Sequence, residues 1–309
     1  MNGPHRRDLD MSSGQRPAQT RGTPRLFALA LLVGGCLDTG QDRAEVPLLV
    51  AGTATPPVVL TEGDVPLAVD RADLAFGPLY LCPGNTAGDL CDVARLEWLD
   101  AVVVDTLDAT PRAVGTLEGV TGRVRSWMYD LGISSQLTAT DPVPLPAAQD
   151  LGEASFVLEA QVSYAGQDVP VVARVAVQQS DDTELGVPVI RKPSTLLFDR
   201  DVTSDDPGLR VTFDPTVWIT GLDLRPLLDP ASCELDGPPS VCDGPIEQLC
   251  APDGAVTGTT DCAAEGLVCV QGRGCVETLE ILRGTPEYSS LWIALTAGER
   301  PVFTWEALP

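Results

Sequence analysis

The chain has 309 residues, with 20 basic and 44 acidic side chains that give a formal net charge of −24 at pH 7. Its 44% hydrophobic and 21% charged residues, together with 29 glycines and 27 prolines, indicate a folded protein rich in turns and exclude a disordered acidic tail or a long helical array. The acidic balance argues against nucleic acid and anionic lipid surfaces as partners.

The first predicted element is an export signal near the N-terminus. Arg21 and Arg25 precede an uninterrupted apolar run over residues 26–33. Eight apolar residues are too few to span a bilayer, which takes about 20, so the run is typical of the hydrophobic region of a signal peptide. We therefore predict a signal peptide over residues 1–35, of the lipoprotein type.

The residues Val33-Gly34-Gly35-Cys36 resemble the lipobox of bacterial lipoproteins, in which the cysteine after the cleavage site receives the lipid. The resemblance implies that Cys36 is the mature N-terminus and that its acyl chains, palmitate among them, anchor the protein, at about 0.8 kcal/mol per buried methylene. Leu37 follows the cysteine, which in Gram-negative lipoproteins favours sorting to the outer membrane. The alternative is an ordinary signal peptide whose cleavage leaves Cys36 as a thiol.

Residues 36–45 are predicted to be a lipidated polar tether. The leader carries five arginines and two aspartates, so its removal leaves a mature chain with a net charge of −27. An acidic exported chain of this kind is expected in the cell envelope, facing either the periplasm or the cell surface.

The apolar pattern that follows repeats mostly every second residue, which predicts β-strands. The clearest case is a hairpin, with alternation over residues 156–164, a turn at Ala165-Gly166-Gln167, and renewed alternation over residues 169–177. Further strand candidates are residues 65–69, 74–81, 96–107, 120–129, 209–213 and 302–305. Strands without regular intervening helices predict a mainly β fold, an antiparallel β-sandwich of Ig-like or related type, over residues 46–229 and 277–309.

An acidic loop lies between the hairpin and the later strands. It places four carboxylates close together in the sequence, and clustered oxygen ligands are what Ca²⁺ requires: Asp199, Asp201, Asp205 and Asp206. The spacing differs from an EF-hand, because Ser204 stands where Gly is expected and Arg210 where Glu is expected. A solvated acidic turn is the favoured interpretation, and calcium is the one cofactor hypothesis; otherwise we expect no cofactor.

Cysteines define the next segment. Nine cysteines less the lipidated Cys36 leave an even number in an exported chain, which predicts four disulfides. Cys82 and Cys91 close a short loop of turn-forming residues and are expected to pair. The other six lie within 43 residues rich in Gly, Pro and Asp: Cys233, Cys242, Cys250, Cys262, Cys269 and Cys275. Their spacing selects none of the 15 possible connectivities, and without a Cys-x-x-Cys pair it argues against zinc.

We call residues 230–276 the cysteine module and predict that it is inserted into the sandwich. The segment holds too few large apolar residues for a core of its own, so disulfides worth about 2–4 kcal/mol each are expected to substitute for burial. We therefore expect it to fold on its own disulfides and to leave the sandwich largely independent.

One helix is predicted near the C-terminus. Thr285 can cap it, Pro286 suits its first position and Gly298 can end it. Its apolar face is expected to pack against the sheet and consists of Tyr288, Leu291, Trp292 and Leu295.

The mature chain lacks the residue types that common enzymes need. Its only histidine, His5, lies in the leader, which excludes Ser-His-Asp and Cys-His nucleophiles, histidine metal sites and a histidine general base. No Gly-x-Ser-x-Gly elbow, phosphate-binding loop or dinucleotide-binding turn is found. What remains for an enzyme is a pair of carboxylates.

The predicted function is therefore that of a non-catalytic outer-membrane lipoprotein with a binding or envelope-structural role. In layout the chain resembles uncharacterised envelope lipoproteins of Gram-negative bacteria. The expected partners are the membrane, through the N-terminal acyl chains, and an unidentified envelope protein or glycan. The alternative is a carboxylate-dependent extracytoplasmic hydrolase acting on glycans, which needs two acids that face each other across an aromatic-lined cleft.

We predict that Cys36→Ser releases the protein from membranes, because only the acyl chains are expected to hold it there. Fractionation of cells that produce the variant checks this, and the protein should move to the soluble fraction. The matched control is Cys82→Ser/Cys91→Ser, which alters two other cysteines and should remain with the membranes. A Cys36→Ser protein that still pellets with membranes after a high-salt wash would contradict lipid anchoring.

Overall fold

The computed structural model describes residues 42–53, 58–60, 65–84, 93–134, 143–164, 166–177, 190–193, 199–298 and 300–306. The predicted signal peptide, Cys36 and Cys91 lie outside these residues. The first strand begins at Arg43, so the last three residues of the predicted tether belong to a sheet.

Two large sheets make up most of the fold, with strands numbered in chain order. The first sheet contains β1 (Arg43–Ala51), β4 (Leu79–Cys82), β5 (Leu96–Trp98), β7 (Arg112–Val120), β9 (Ser126–Tyr129), β14 (Ile190–Pro193), β16 (Leu209–Thr212) and β23 (Val302–Trp305). The second contains β2 (Val58–Leu60), β3 (Pro66–Phe76), β6 (Val102–Asp105), β12 (Phe156–Tyr164), β13 (Gln167–Val175) and β22 (Leu279–Ile281).

Smaller elements complete the described chain. Two short pairs join β8 (Gly122–Val124) to β15 (Arg200–Val202) and β10 (Ile133–Ser134) to β11 (Val143–Pro144). The cysteine module holds a sheet of β17 (Ser240–Asp243), β18 (Ile246–Cys250) and β19 (Val256–Asp261), and a hairpin of β20 (Val268–Val270) and β21 (Gly274–Val276). The helices are α1 (Pro146–Asp150), α2 (Thr216–Ile219), α3 (Arg225–Leu228) and α4 (Pro286–Ala297), with a 3₁₀ turn at Ala263–Glu265.

The topology confirms a mainly β, sandwich-like fold. The first sheet has the order β14-β9-β4-β5-β7-β1-β16-β23, and the second has the order β2-β3-β12-β13-β22 with β6 also paired to β3. Strands of both sheets contribute to one hydrophobic core. Most pairs are antiparallel, but β1 pairs in parallel with β16 and β13 with β22. Both parallel pairs join strands far apart in the sequence, so local alternation cannot reveal them.

The locally encoded elements agree best with the sequence. The predicted hairpin is confirmed, with β12 and β13 paired from Phe156 opposite Val175 to Tyr164 opposite Gln167. The predicted helix is confirmed as α4, whose cap Thr285 accepts a hydrogen bond from the backbone N–H of Tyr288. Three further helices have only four or five residues each, which is too short to produce a helical period.

The first sheet curls until strands near its two ends meet. Trp127 of β9 stacks on Phe303 of β23 with ring centroids 4.5 Å apart, although these strands lie near opposite ends of the sheet order. Tyr129 stacks on Trp127, and Phe76 meets Phe213 edge to face at 5.0 Å. Such aromatic pairs contribute about 0.5–1.5 kcal/mol each beyond the area they bury. The Trp127–Phe303 stack stabilises the curl, whereas Phe76 of β3 and Phe213, which follows β16, connect the two sheets.

The cysteine module shares the core of the sandwich. Val268 and Val270 of β20 lie in the same hydrophobic cluster as the sandwich strands, and Val270 is completely buried. Helix α3, at the end of the sandwich segment, packs against β20. This differs from the expectation of a module that folds apart from the sandwich, because two valines in a Gly- and Pro-rich segment are too weak a pattern to reveal a shared core.

Candidate functional site

A cavity of about 750 Å³ opens where the cysteine module meets the sandwich. It is lined by residues of segment 226–234, which leads from α3 into the module, by residues of β17 and β18, and by Gln271 and Gly272 after β20. We call it the junction cleft. Its walls therefore belong to both parts of the fold, and its shape depends on how the module docks.

The lining of the junction cleft is acidic. Asp229, Glu234 and Asp243 bring three exposed carboxylates, and neither arginine nor lysine is among the lining residues of the described chain. None of the ion pairs formed between described residues includes these three side chains. The cleft lining thus carries three negative charges that form no ion pair with a described cation.

Neutral donors hold two of these carboxylates in place. The Tyr164 hydroxyl donates to Asp229 at 2.9 Å, and the Gln248 side-chain amide lies 3.4 Å from an oxygen of Asp243. Burial of the phenol and the adjacent Asp229 raise the pKa of Tyr164, whose hydroxyl is a donor at neutral pH even at its ordinary value. The orientation of Asp229 is therefore fixed without neutralising its charge.

The rest of the lining is stiff and partly apolar. Pro226, Pro230 and Pro238 are exposed in the walls, and Val241 is almost completely buried. Proline fixes φ and has no N–H, so these walls offer rigid apolar surface without backbone donors at three positions. Two exposed leucines directly follow lining residues in the sequence: Leu235 is 74% exposed and Leu249 is 45% exposed.

Gln271 connects the two sides of the cleft. Its side-chain oxygen accepts from the Cys242 N–H at 3.0 Å, and its side-chain amide donates to the carbonyl oxygens of Cys242, at 2.8 Å, and Asp229, at 2.6 Å. The Gln271 side chain therefore makes the two hydrogen bonds with the Cys242 backbone that a residue of a neighbouring strand would make. The backbone N–H of Gln271 donates to the Leu227 carbonyl at 2.9 Å, which ties the module to α3. No sequence motif marks this residue.

The disulfides define the scaffold of the cleft. Within the module the pairs are Cys233–Cys250, Cys242–Cys269 and Cys262–Cys275. One of them joins Cys242, on the edge strand β17, to Cys269 of the docked hairpin, close to Gln271. Cys82 is also disulfide-bonded, and its pairing with Cys91 stays a prediction because Cys91 lies outside the described residues.

Two of the four predicted calcium ligands form ion pairs with arginines. Asp199 binds Arg123 through both carboxylate oxygens at 2.7 Å, and this contact lowers the pKa of the Asp199 carboxyl. Asp206 is buried, pairs with Arg200 and accepts from the Thr203 N–H. These two carboxylates are thus directed at separate guanidinium groups and not at a common centre.

The remaining two aspartates, Asp201 and Asp205, are exposed. Within the described residues, the group of three side chains with metal-ligand atoms within 4.8 Å of one another is Glu247, Cys262 and Cys275. The two cysteines of that group form a disulfide and so lack the thiolates that bind metals. The arginine pairs direct Asp199 and Asp206 to different groups, and calcium binding by this loop stays a prediction.

Comparisons with known proteins add little. No family model and no curated protein matches the chain. One solved structure, "MbnP from Methylosinus trichosporium", aligns over 59% of this chain and 79% of that chain, with 14% identity and a TM-score of 0.33. A likeness of this size defines neither a shared fold nor a shared ligand. Among the described residues, no helix has the length and apolar character needed to cross a membrane.

We predict that Gln271→Ala lowers the free energy of unfolding by about 1–3 kcal/mol, because the buried Cys242 N–H loses its acceptor, while the Cys242 carbonyl keeps the Ala231 N–H as a donor. Denaturant unfolding measures the effect. The matched control is Gln248→Ala, which removes another cleft-lining amide whose contact is a single 3.4 Å approach to an exposed carboxylate. Its effect should stay within about 0.5 kcal/mol. Equal losses for the two variants would show that Gln271 does not hold the module in place.

Proposed function

We propose that the protein is a non-catalytic binding protein, anchored in the outer membrane, whose ligand occupies the junction cleft. The observation that carries this proposal is an open cleft at the boundary between two parts of a crosslinked fold, lined by three carboxylates without ion pairs to described residues. Ligand sites occur preferentially at such boundaries and are usually preformed.

The location rests on separate observations. The resemblance to a lipobox supports lipid attachment at Cys36, and disulfides persist in oxidising compartments outside the cytoplasm. The described fold begins at Arg43, a few residues after Cys36. A short connection of this kind would keep the sandwich close to the membrane surface.

The hydrolase alternative makes a specific demand on the cleft. Glycoside hydrolysis needs two opposed carboxylates, and binding of the sugar needs a suitable wall such as an aromatic ring. The junction cleft has three carboxylates, but none of its described lining residues is aromatic. Its chemistry therefore supports binding better than hydrolysis of glycans.

The experiment that tests the proposal is photo-crosslinking in intact cells. A photoreactive residue at position 234, in the cleft, should form covalent adducts with the bound partner. The matched control is position 293 on α4, where Ile293 is 56% exposed and is not part of the cleft lining. Adducts at 234 alone are the expected result, and crosslinking at both positions or at neither would contradict a binding role for the cleft.

A further inference from the structure

The lining of the junction cleft restricts the chemistry of its occupant. Clefts lined by charges of one sign concentrate the potential and attract groups of opposite charge. The three exposed cleft carboxylates can attract a cationic group, because none of them forms an ion pair with a described cation. Arg225, the residue before Pro226, forms a two-point ion pair with Asp223.

Other ligand classes fit less well. Nucleic acid would meet like charge. Small-molecule sites are lined mainly by apolar and aromatic side chains, whereas this lining has no aromatic residue in the described chain. A bare metal ion needs converging oxygens, and no three of the described acidic side chains place their oxygens within 4.8 Å of one another here.

The apolar residues in the cleft walls indicate which groups the ligand carries besides its positive charges. The three exposed prolines of the walls can pack against the methylene stems of lysine or arginine, while the charged ends reach the carboxylates. Leu235, directly after the lining residue Glu234, is 74% exposed and adds apolar surface in this segment. A partner that covers all of this must alternate basic and apolar groups, as a peptide segment can.

We infer that the junction cleft binds a segment of a partner protein in which arginine or lysine side chains alternate with apolar ones. This inference rests on the proposed function. The disulfides and Gln271 preform the cleft, so binding orders the partner segment and not the cleft itself, which reduces the entropic cost of association.

The test uses the purified full-length chain and two synthetic octapeptides. One peptide carries three arginines interleaved with leucine and proline, and the other has glutamate in place of each arginine. Isothermal titration should detect binding of the arginine peptide alone, and the affinity should fall as salt rises from 50 to about 500 mM, because exposed charges are screened. Equal binding of both peptides, or of neither, would overturn the inference.

Matched variants separate the cleft from the overall charge of −24. The triple variant Asp229→Asn/Glu234→Gln/Asp243→Asn should weaken binding of the arginine peptide about tenfold, as expected for the loss of three exposed ion pairs. The control is Asp70→Asn/Glu97→Gln/Asp201→Asn, which removes the same charge from exposed positions outside the cleft lining and should bind as the parent does. An equal loss in both variants would show attraction to net charge only and overturn the inference.

All six replaced side chains are exposed, and unfolding curves of both variants check that the fold is retained. The crosslinking experiment distinguishes the proposed binding role of the cleft from the inference that its partner is basic. Adducts at position 234 without selective binding of the arginine peptide would leave the binding role standing and refute the basic partner. Failure of both experiments would refute both proposals.

Discussion

The burial of β20 in the core of the sandwich is the constraint on which the rest of the structure depends. Val270 is fully buried there, and Val268 is nearly so. This contact sets the position of a segment that otherwise relies on disulfides, because the Cys242–Cys269 crosslink then connects β20 to the edge of the module sheet. Gln271 follows directly and pairs with Cys242. The cleft is the space left between these fixed parts.

Arginines pair with some carboxylates of the described surface but with none of those in the cleft lining. On the sandwich, arginines hold carboxylates in defined positions, as Arg71 does with Asp73 and Glu159 and as Arg123 does with Asp199. Exposed pairs of this kind add little stability but lower the local charge density. Two of the cleft carboxylates, Asp229 and Asp243, instead accept from neutral donors, so their charge remains available to a partner.

Local patterns in the sequence predict the local parts of the fold. The β12–β13 hairpin follows from alternation on both sides of a turn, and α4 follows from its cap and its apolar face. The parallel pairing of β1 with β16 and the disulfide connectivity depend on contacts between distant residues, which no short-range pattern contains. In the acidic loop, closeness in the sequence does not produce a common site. Asp199 and Asp206 lie seven residues apart, but their carboxylates pair with arginines on different strands. The cleft could not be predicted, since its key residue is a glutamine outside any motif.

The most direct test of a shared core compares Val270→Ala with Val256→Ala by denaturant unfolding. Both substitutions lie in the cysteine module, but Val270 is buried and Val256 is 50% exposed. All five tryptophans lie outside the module, so their fluorescence reports on the sandwich. A shared core predicts one cooperative transition, destabilised by about 2 kcal/mol in Val270→Ala and by less than about 0.5 kcal/mol in Val256→Ala. Tryptophan fluorescence that unfolds at the parent midpoint in Val270→Ala would show that the module folds separately and would contradict this account.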